Sequence, residues 1–266
     1  MTMNVMRKGK NARILAVANQ KGGVGKTTTA VTLSAALARF GYNVLIIDLD
    51  PHACASVHLR FYPDETVATI NDIFISEEQL WPGIWEKIRY RPEGHPFDIT
   101  PGSIRLSELE TDLRGRKGKG SILQQALVHV ENEYDFIVID CPPHVGILLV
   151  NALVACDLLV IPIQTDFLAL HGLKLLFDSI RILNRVLPAP IVYRALATMY
   201  DRRARACNRV IELLHGKMGD RMFRTVIGVD TRFRDASALG RVIYEIAPES
   251  RGAREYEELA REIMTL

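Results

Sequence analysis

Short apolar runs alternate along the chain with amphipathic stretches, and that alternation sets the expected architecture. Residues 14–18, 44–47, 136–139, 158–163, 191–197 and 226–229 read as apolar runs, the fifth interrupted by Arg194, which is the pattern of strands buried on both faces. Helical periodicity fills the intervals at 26–40 (closed by Gly41), 167–186 and 204–217, and a last helix is expected over 251–266. Strands spaced by helices predict an α/β fold: a single doubly wound, mostly parallel sheet with helices on both faces. Residues 13–266 read as one domain behind a basic extension, residues 1–12, with no internal repeat and no linker rich in Pro, Gly or Ser. The least regular part, 61–101, carries both tryptophans and several prolines and reads as a variable insertion on the domain's edge. Trp81 and Trp85 are four apart, so they share a helix face, and local packing is their expected role.

The first expected strand runs into a glycine-rich turn that opens a helix. Residues 21–28 read KGGVGKTT. Gly22, Gly23 and Gly25 permit the backbone angles that bend a loop around a phosphate. Loop N–H groups and the helix N-terminus then point at the anion. Lys26 reaches the outer phosphates, the Thr27 hydroxyl ligates Mg²⁺, and Thr28 donates to an inner phosphate. The expected ligands are therefore ATP and Mg²⁺. Two further strands close on carboxylates, Asp48 and Asp50 in IIDLDP and Asp140 in FIVIDCPP. In open parallel sheets the C-terminal strand ends line the ligand crevice. Acids placed there hold a metal's waters and orient an attacking water.

Composition narrows the partners. The chain has 266 residues, 48% of them hydrophobic, and a formal net charge of +2. Overall charge therefore gives little attraction to a polyanion, and any nucleic-acid surface has to be a local patch. Residues 114–120, RGRKGKG, read as a solvated basic loop, with a partner or DNA contact as the alternative. The four cysteines are scattered, as expected of reduced thiols. The first 13 residues lack the apolar run of a secretory signal. No stretch approaches the roughly 18 apolar residues of a membrane span. A cytoplasmic location is the expectation.

With its additional Lys21, KGGVGKTT resembles the deviant Walker A motif of the ParA/MinD family of ATPases. The similarity continues through IIDLDPH, FIVIDCPP, VNAL at 150–153, ATMYDRR at 197–203 and ESRGAREYEELA near the C-terminus, and is closer to ParA and Soj than to MinD. The resemblance implies an ATPase yielding ADP and phosphate, with Lys21, Lys26 and Asp50 as catalytic residues. It implies nucleotide contacts from Lys21, Gly22, Gly23, Val24, Gly25, Lys26, Thr27 and Thr28, and adenine contacts from Met199 and Asp230. Thr27, Asp50 and Asp140 would serve magnesium. Lys21 would reach across an ATP-bound homodimer, and Arg203 and Arg232 would contact double-stranded DNA without regard to sequence. The implied partner is a ParB-like or other cargo-linked activator, and the implied location is the nucleoid.

Gly228 and Val229 depart from the Pro and Arg common at these positions, His52 from a Gln, and His144 from a Ser. Two alternatives stay open: a MinD-like membrane-associated regulator and a redox iron protein of the same superfamily. The first requires a basic amphipathic tail, whereas this one carries Glu255, Glu257, Glu258 and Glu262. The second requires cluster-holding cysteines, and Cys141 directly follows Asp140 instead.

Overall fold

A computed structural model describes residues 11–62, 65–166 and 169–266. Seven strands form one sheet in the order β3-β2-β4-β1-β5-β6-β7, and every neighbouring pair is parallel. They are β1 (Arg13–Val17), β2 (Val44–Asp48), β3 (Asp98–Thr100), β4 (Phe136–Asp140), β5 (Leu158–Gln164), β6 (Tyr193–Tyr200) and β7 (Met222–Gly228). The expected doubly wound α/β fold is thus present, with strand ends moved by a residue or a few. The largest shift is at β7, which begins four residues before its expected start. Its opening pattern mixes exposed Arg224 with buried Phe223, so the apolar run shows only the second half.

Twelve α-helices cover the described residues of the sheet. In chain order they are α1 (Lys26–Arg39), α2 (Cys54–His58), α3 (Asn71–Ile75), α4 (Trp81–Ile88), α5 (Leu109–Asp112) and α6 (Ile122–Leu127). Then come α7 (Ile147–Ala155), α8 (Ala169–Leu183), α9 (Arg205–Met218), α10 (Arg232–Leu239), α11 (Ile243–Ile246) and α12 (Arg251–Met264). Alternate strand residues feed two separate apolar layers. Ala16, Leu45, Ile137 and Ile161 pack with α3 to α9 on one face. Leu15, Ile46, Val138 and Val160 pack with α1, α2, α11 and α12 on the other. Burial on both faces is why the strands read as unbroken apolar runs.

The 61–101 segment differs from the expected peripheral insertion. It ends in β3, which adds to the sheet edge by pairing with β2. Its two tryptophans are fully buried core residues on α4. Trp81 donates its indole N–H to Ile73 O at 3.0 Å, and Trp85 donates to Ala126 O at 2.8 Å. Each ring thereby buries its large surface without stranding its polar atom. The local-packing role expected of the pair holds, but the segment carrying them belongs to the core.

The C-terminal helix is committed to the interior. Gly252, Ala253, Tyr256, Leu259, Ala260 and Ile263 are its buried face, and it packs on α1 and β7. Tyr256 and Thr29 share a buried hydrogen bond of 2.8 Å between their hydroxyls. Ser250 caps the helix by accepting from Ala253 N. A membrane-seeking helix must keep its apolar face free, and this one has already spent it.

Candidate nucleotide site

The site grows out of the strand order. The β1 strand lies between β4 and β5, and the chain leaves it toward β2 on one face, whereas β4 returns to β5 through α7 on the other. A crevice opens at the carboxyl ends where the winding reverses. Val17 stands beside Asp140, and Asp48 beside Asp140, in the strand register. The glycine-rich turn and the three acids thus meet because three adjacent strands end level.

The turn has the conformation its glycines allow. Gly23 and Gly25 lie at φ +74° and +88°, in the left-handed region, whereas Gly22 does not need its freedom. A Cβ at any of the three would meet no protein atom within 4 Å, so the concave side of the turn is free for a ligand. The N-terminus of α1 has no side-chain cap and no acid in its first turn. Its orphan N–H groups and positive dipole end therefore remain available to an anion. Three bonds brace the loop: Asn19 Nδ2 donates to Pro162 O (2.7 Å), Lys21 N to Asn19 Oδ1 (3.0 Å), and Thr198 Oγ1 to Val24 O (2.9 Å). Lys26 is buried at the base of the loop, its ammonium donating to Lys21 O at 3.5 Å. Thr27 and Thr28 sit half-buried on the first turn of α1.

The acids divide into two kinds. Asp48 is fully committed to the protein. It accepts Ser56 N (2.8 Å) and Ser56 Oγ (2.7 Å) on one oxygen and Asp50 N (3.1 Å) on the other. Burial pushes it up to about 6, against the pull of those Ser56 and Asp50 donors. Asp50 is buried at the mouth and accepts only the N–H of the neighbouring His52, at 3.0 Å, among the described residues. Asp140 is the exposed nerve of the site: fully buried, with neither carboxylate oxygen holding a hydrogen bond of good geometry. Burial, then the charge of Asp48, drives it well above the ordinary carboxylate range, with Thr27 and Lys26 pulling weakly the other way. An unpartnered buried carboxylate costs several kcal/mol by rough estimate unless a cation offsets it. Asp140, with Thr27 opposite and Asp50 near, therefore fits a divalent cation. By position alone the three acids share the strand ends; in the structure Asp48 is taken up by Ser56 and Asp50 N, whereas Asp50 and Asp140 keep carboxylate oxygens without a partner among the described residues.

Gly102 belongs to this brace and left no signal in the sequence. Its N–H donates to Ser56 Oγ at 2.9 Å, and a Cβ there would stand 2.8 Å from Asp48 O and 3.1 Å from Asp50 O. Those are backbone atoms and cannot swing away. Gly102→Ala should cost about 1–3 kcal/mol of stability by overpacking. It should also slow turnover by roughly tenfold to a hundredfold, because Asp50 is pushed off its position. Melting temperature and turnover at saturating ATP check both; a variant with wild-type values for each would show that the strand end yields freely.

The remaining expected residues lie on the rim. Lys21 Nζ is bound to Asp166 Oδ2 at 2.7 Å, beyond the end of β5, a partner the sequence did not announce. Met199 and Asp230 sit at the ends of adjacent strands, β6 and β7. Met199 has φ +53°, uncommon for a non-glycine residue, and its carbonyl accepts Thr165 Oγ1 at 3.3 Å. Asp230 accepts from Gly252 N, Arg232 N and Arg232 Nε. Burial alone would raise it, but these donors outweigh burial and lower it. Arg203 grips Asp201 through Nε and Nη2 at 3.1 and 3.0 Å, which holds Asp201 down at about 2. His52 and His144 are exposed loop side chains. At Gly228 the backbone N–H donates to Glu255 Oε2 at 2.7 Å, a bond that the Pro common at this position could not make.

Comparison with known proteins agrees with this geometry. A family model described as an AAA domain matches residues 12–190. The chain is 36% identical to the sporulation initiation inhibitor protein Soj of Bacillus subtilis, over 94% of this chain and 98% of Soj. It is 34% identical to the chromosome partitioning protein ParA of Caulobacter vibrioides, over 95% and 94% of the two chains. Among solved structures, a cobyrinic acid a,c-diamide synthase from Mycobacterium smegmatis with bound ATP analogue and magnesium superposes with TM-score 0.77 at 28% identity, covering 95% of this chain and 94% of that one.

Proposed function

The chain belongs to the ParA/MinD family of P-loop ATPases, and from that premise we propose that it is an ATP-driven positioning switch. ATP joins two copies, the dimer binds double-stranded DNA irrespective of sequence, and an activator tied to a plasmid, chromosome or protein cluster resets it by stimulating hydrolysis. The observation that carries the nucleotide half is Asp140, a buried carboxylate without a hydrogen-bond partner, facing a left-handed glycine turn at an uncapped helix N-terminus.

The residues divide the work. Backbone N–H groups of 22–28 bind the phosphate chain, and Lys26 neutralises its outer charge. Thr27, Asp50 and Asp140 would hold magnesium, which when bound offsets phosphate charge. Asp50 has a free oxygen at the mouth to orient water. Met199 and Asp230 flank the base end, on strands tied to the phosphate turn through Thr198. Lys21 serves the partner's nucleotide. Beside it, Val145, Leu175 and Ile182 are exposed apolar side chains that a second copy can bury. One observation favours DNA over a lipid surface: α12 has its apolar face in the core.

Arg203 and Arg232 sit on the rim above β6 and β7, each paired with a carboxylate. The Arg203–Asp201 pair is exposed and screened by solvent, so phosphate can displace its acid, whereas Asp230 is a buried partner for Arg232. DNA binding should require ATP and fall with salt at a log–log slope of about 0.9 per phosphate neutralised. Arg203→Ala should reduce that slope by about one for each contacting copy, about two in a dimer, with ATP turnover intact. Salt titrations on arbitrary duplexes measure this. A wild-type protein that ignores DNA with ATP present would end the nucleoid reading.

A further inference from the structure

We propose that the 114–120 loop is a second, separate contact for the phosphate backbone of duplex DNA; the idea rests on the DNA-binding reading above. Its sequence, RGRKGKG, places four cations in seven residues, and no acid lies between Leu113 and Ile122. Arg114 and Lys117 are exposed, and Arg114, Lys117 and Lys119 make no side-chain ion pair or hydrogen bond among the described residues. The two arginines inherited by resemblance offer less. Arg203 is clamped by Asp201 and Arg232 by Asp230, so each presents a near-neutral pair before any phosphate arrives. Among the described residues the loop carries positive charge that no acid offsets, as the exposed Arg202, Arg205 and Arg209 near the start of α9 also do.

The loop is also held in shape, which lowers the entropy lost on binding. Leu113 anchors one end in the core. Arg116 is used as a tether, donating to Phe74 O at 2.8 Å. Gly115 and Gly118 take φ +81° and +71°, turning the chain twice in the left-handed region. At the far end Asn151 Nδ2 donates to Lys119 O at 2.8 Å, while its Oδ1 accepts Leu123 N at 3.0 Å. Asn151 lies on α7, the helix that follows the Asp140 segment. The loop is thus tethered at Leu113, Arg116 and Lys119 and otherwise consists of charge and glycine.

That chemistry selects the partner. The tip exposes no apolar side chain to enter a lipid surface, as membrane-binding elements do. It has no aromatic ring on which an unpaired base could stack. A run of exposed cations on flexible side chains fits a regular array of phosphates, read without sequence.

The test uses the full-length protein carrying Arg114→Ala, Lys117→Ala and Lys119→Ala together, leaving Arg116 and its tether intact. ATP turnover without DNA should stay at the wild-type level, since none of the three touches the nucleotide site. Affinity for a random duplex with ATP should fall by about two to three decades at 0.1 M salt, and the salt slope by about 2.7 per engaged subunit if each cation meets one phosphate. Replacing the same three positions so that charge is kept (Arg114→Lys, Lys117→Arg, Lys119→Arg) should preserve most binding. Wild-type affinity and slope in the triple alanine variant, beside a loss in Arg203→Ala, would overturn the loop's role and leave the DNA reading standing. Absence of DNA binding by the wild-type protein would overturn both. Unchanged DNA binding with lost binding to phosphatidylserine vesicles would overturn it in favour of lipid.

Discussion

Asp50→Ala should keep ATP binding and lose hydrolysis by about a hundredfold or more, which is at least about 2.7 kcal/mol of transition-state stabilisation. Among the described residues the Asp50 side chain hydrogen-bonds neither the glycine turn nor the N-terminus of α1, so the phosphate cradle survives its loss. Removing it also takes one negative charge from beside Asp140, whose own charge is already opposed by burial and by Asp48. Nucleotide affinity should therefore hold or tighten, which separates this variant from Lys26→Ala. Lys26 is the buried cation under the phosphate turn, and its loss should weaken binding and turnover together. Calorimetry with ATP, set beside steady-state turnover, distinguishes the two. Wild-type turnover in Asp50→Ala would remove that carboxylate from the mechanism.

Adding Lys21→Ala to the Asp50→Ala background should dissolve the ATP-bound dimer while leaving monomer affinity near its starting value. The loop does not depend on the Lys21 side chain: Asn19 and Thr198 brace its backbone. What the ammonium has in one copy is a partly exposed pair with Asp166, worth about 0–1 kcal/mol. Such a pair gives way readily to a triphosphate from a second copy. Truncating one member of a buried interfacial charge pair costs about 2–5 kcal/mol, so the dimer constant should worsen by about 30-fold or more. Light scattering with ATP reads the mass directly. A dimer that persists unchanged would leave Lys21 with only its intramolecular role.

Much of this was legible because the sheet is parallel and covered on both faces. Six of seven strands announced themselves as apolar runs, and Asp48 and Asp140 stood at the ends of two of them. β3 did not, because three residues at a sheet edge, Asp98 to Thr100, carry too little pattern to separate from a loop. The tryptophans misled about their surroundings, since prolines and short helices around them imitate an insertion while the rings are core. Single-residue geometry was the other blind spot. Spacing and position do not distinguish Asp48, satisfied by Ser56, from Asp140, which has no partner among the described residues; only the family resemblance set them apart. Asp166 and Gly102 act through contacts across the crevice, and no local spacing encodes them. The motif residues were readable because phosphate chemistry constrains consecutive positions; their supports were not, because packing draws them from anywhere in the chain.

The strand order has a consequence for biogenesis. β1, the first strand to leave the ribosome, occupies the middle of the sheet and bonds only to β4 and β5. The latch from Asn19 closes on a residue 143 positions later, and that from Val24 on one 174 positions later. At about 5–20 residues per second, the glycine turn waits roughly ten to thirty seconds of elongation for its neighbours. During that interval the nascent chain displays KGGVGKTT without the scaffold that shapes it. A fragment cut short of β5 carries the motif in letters alone, so competence for nucleotide arrives late and with most of the chain already made.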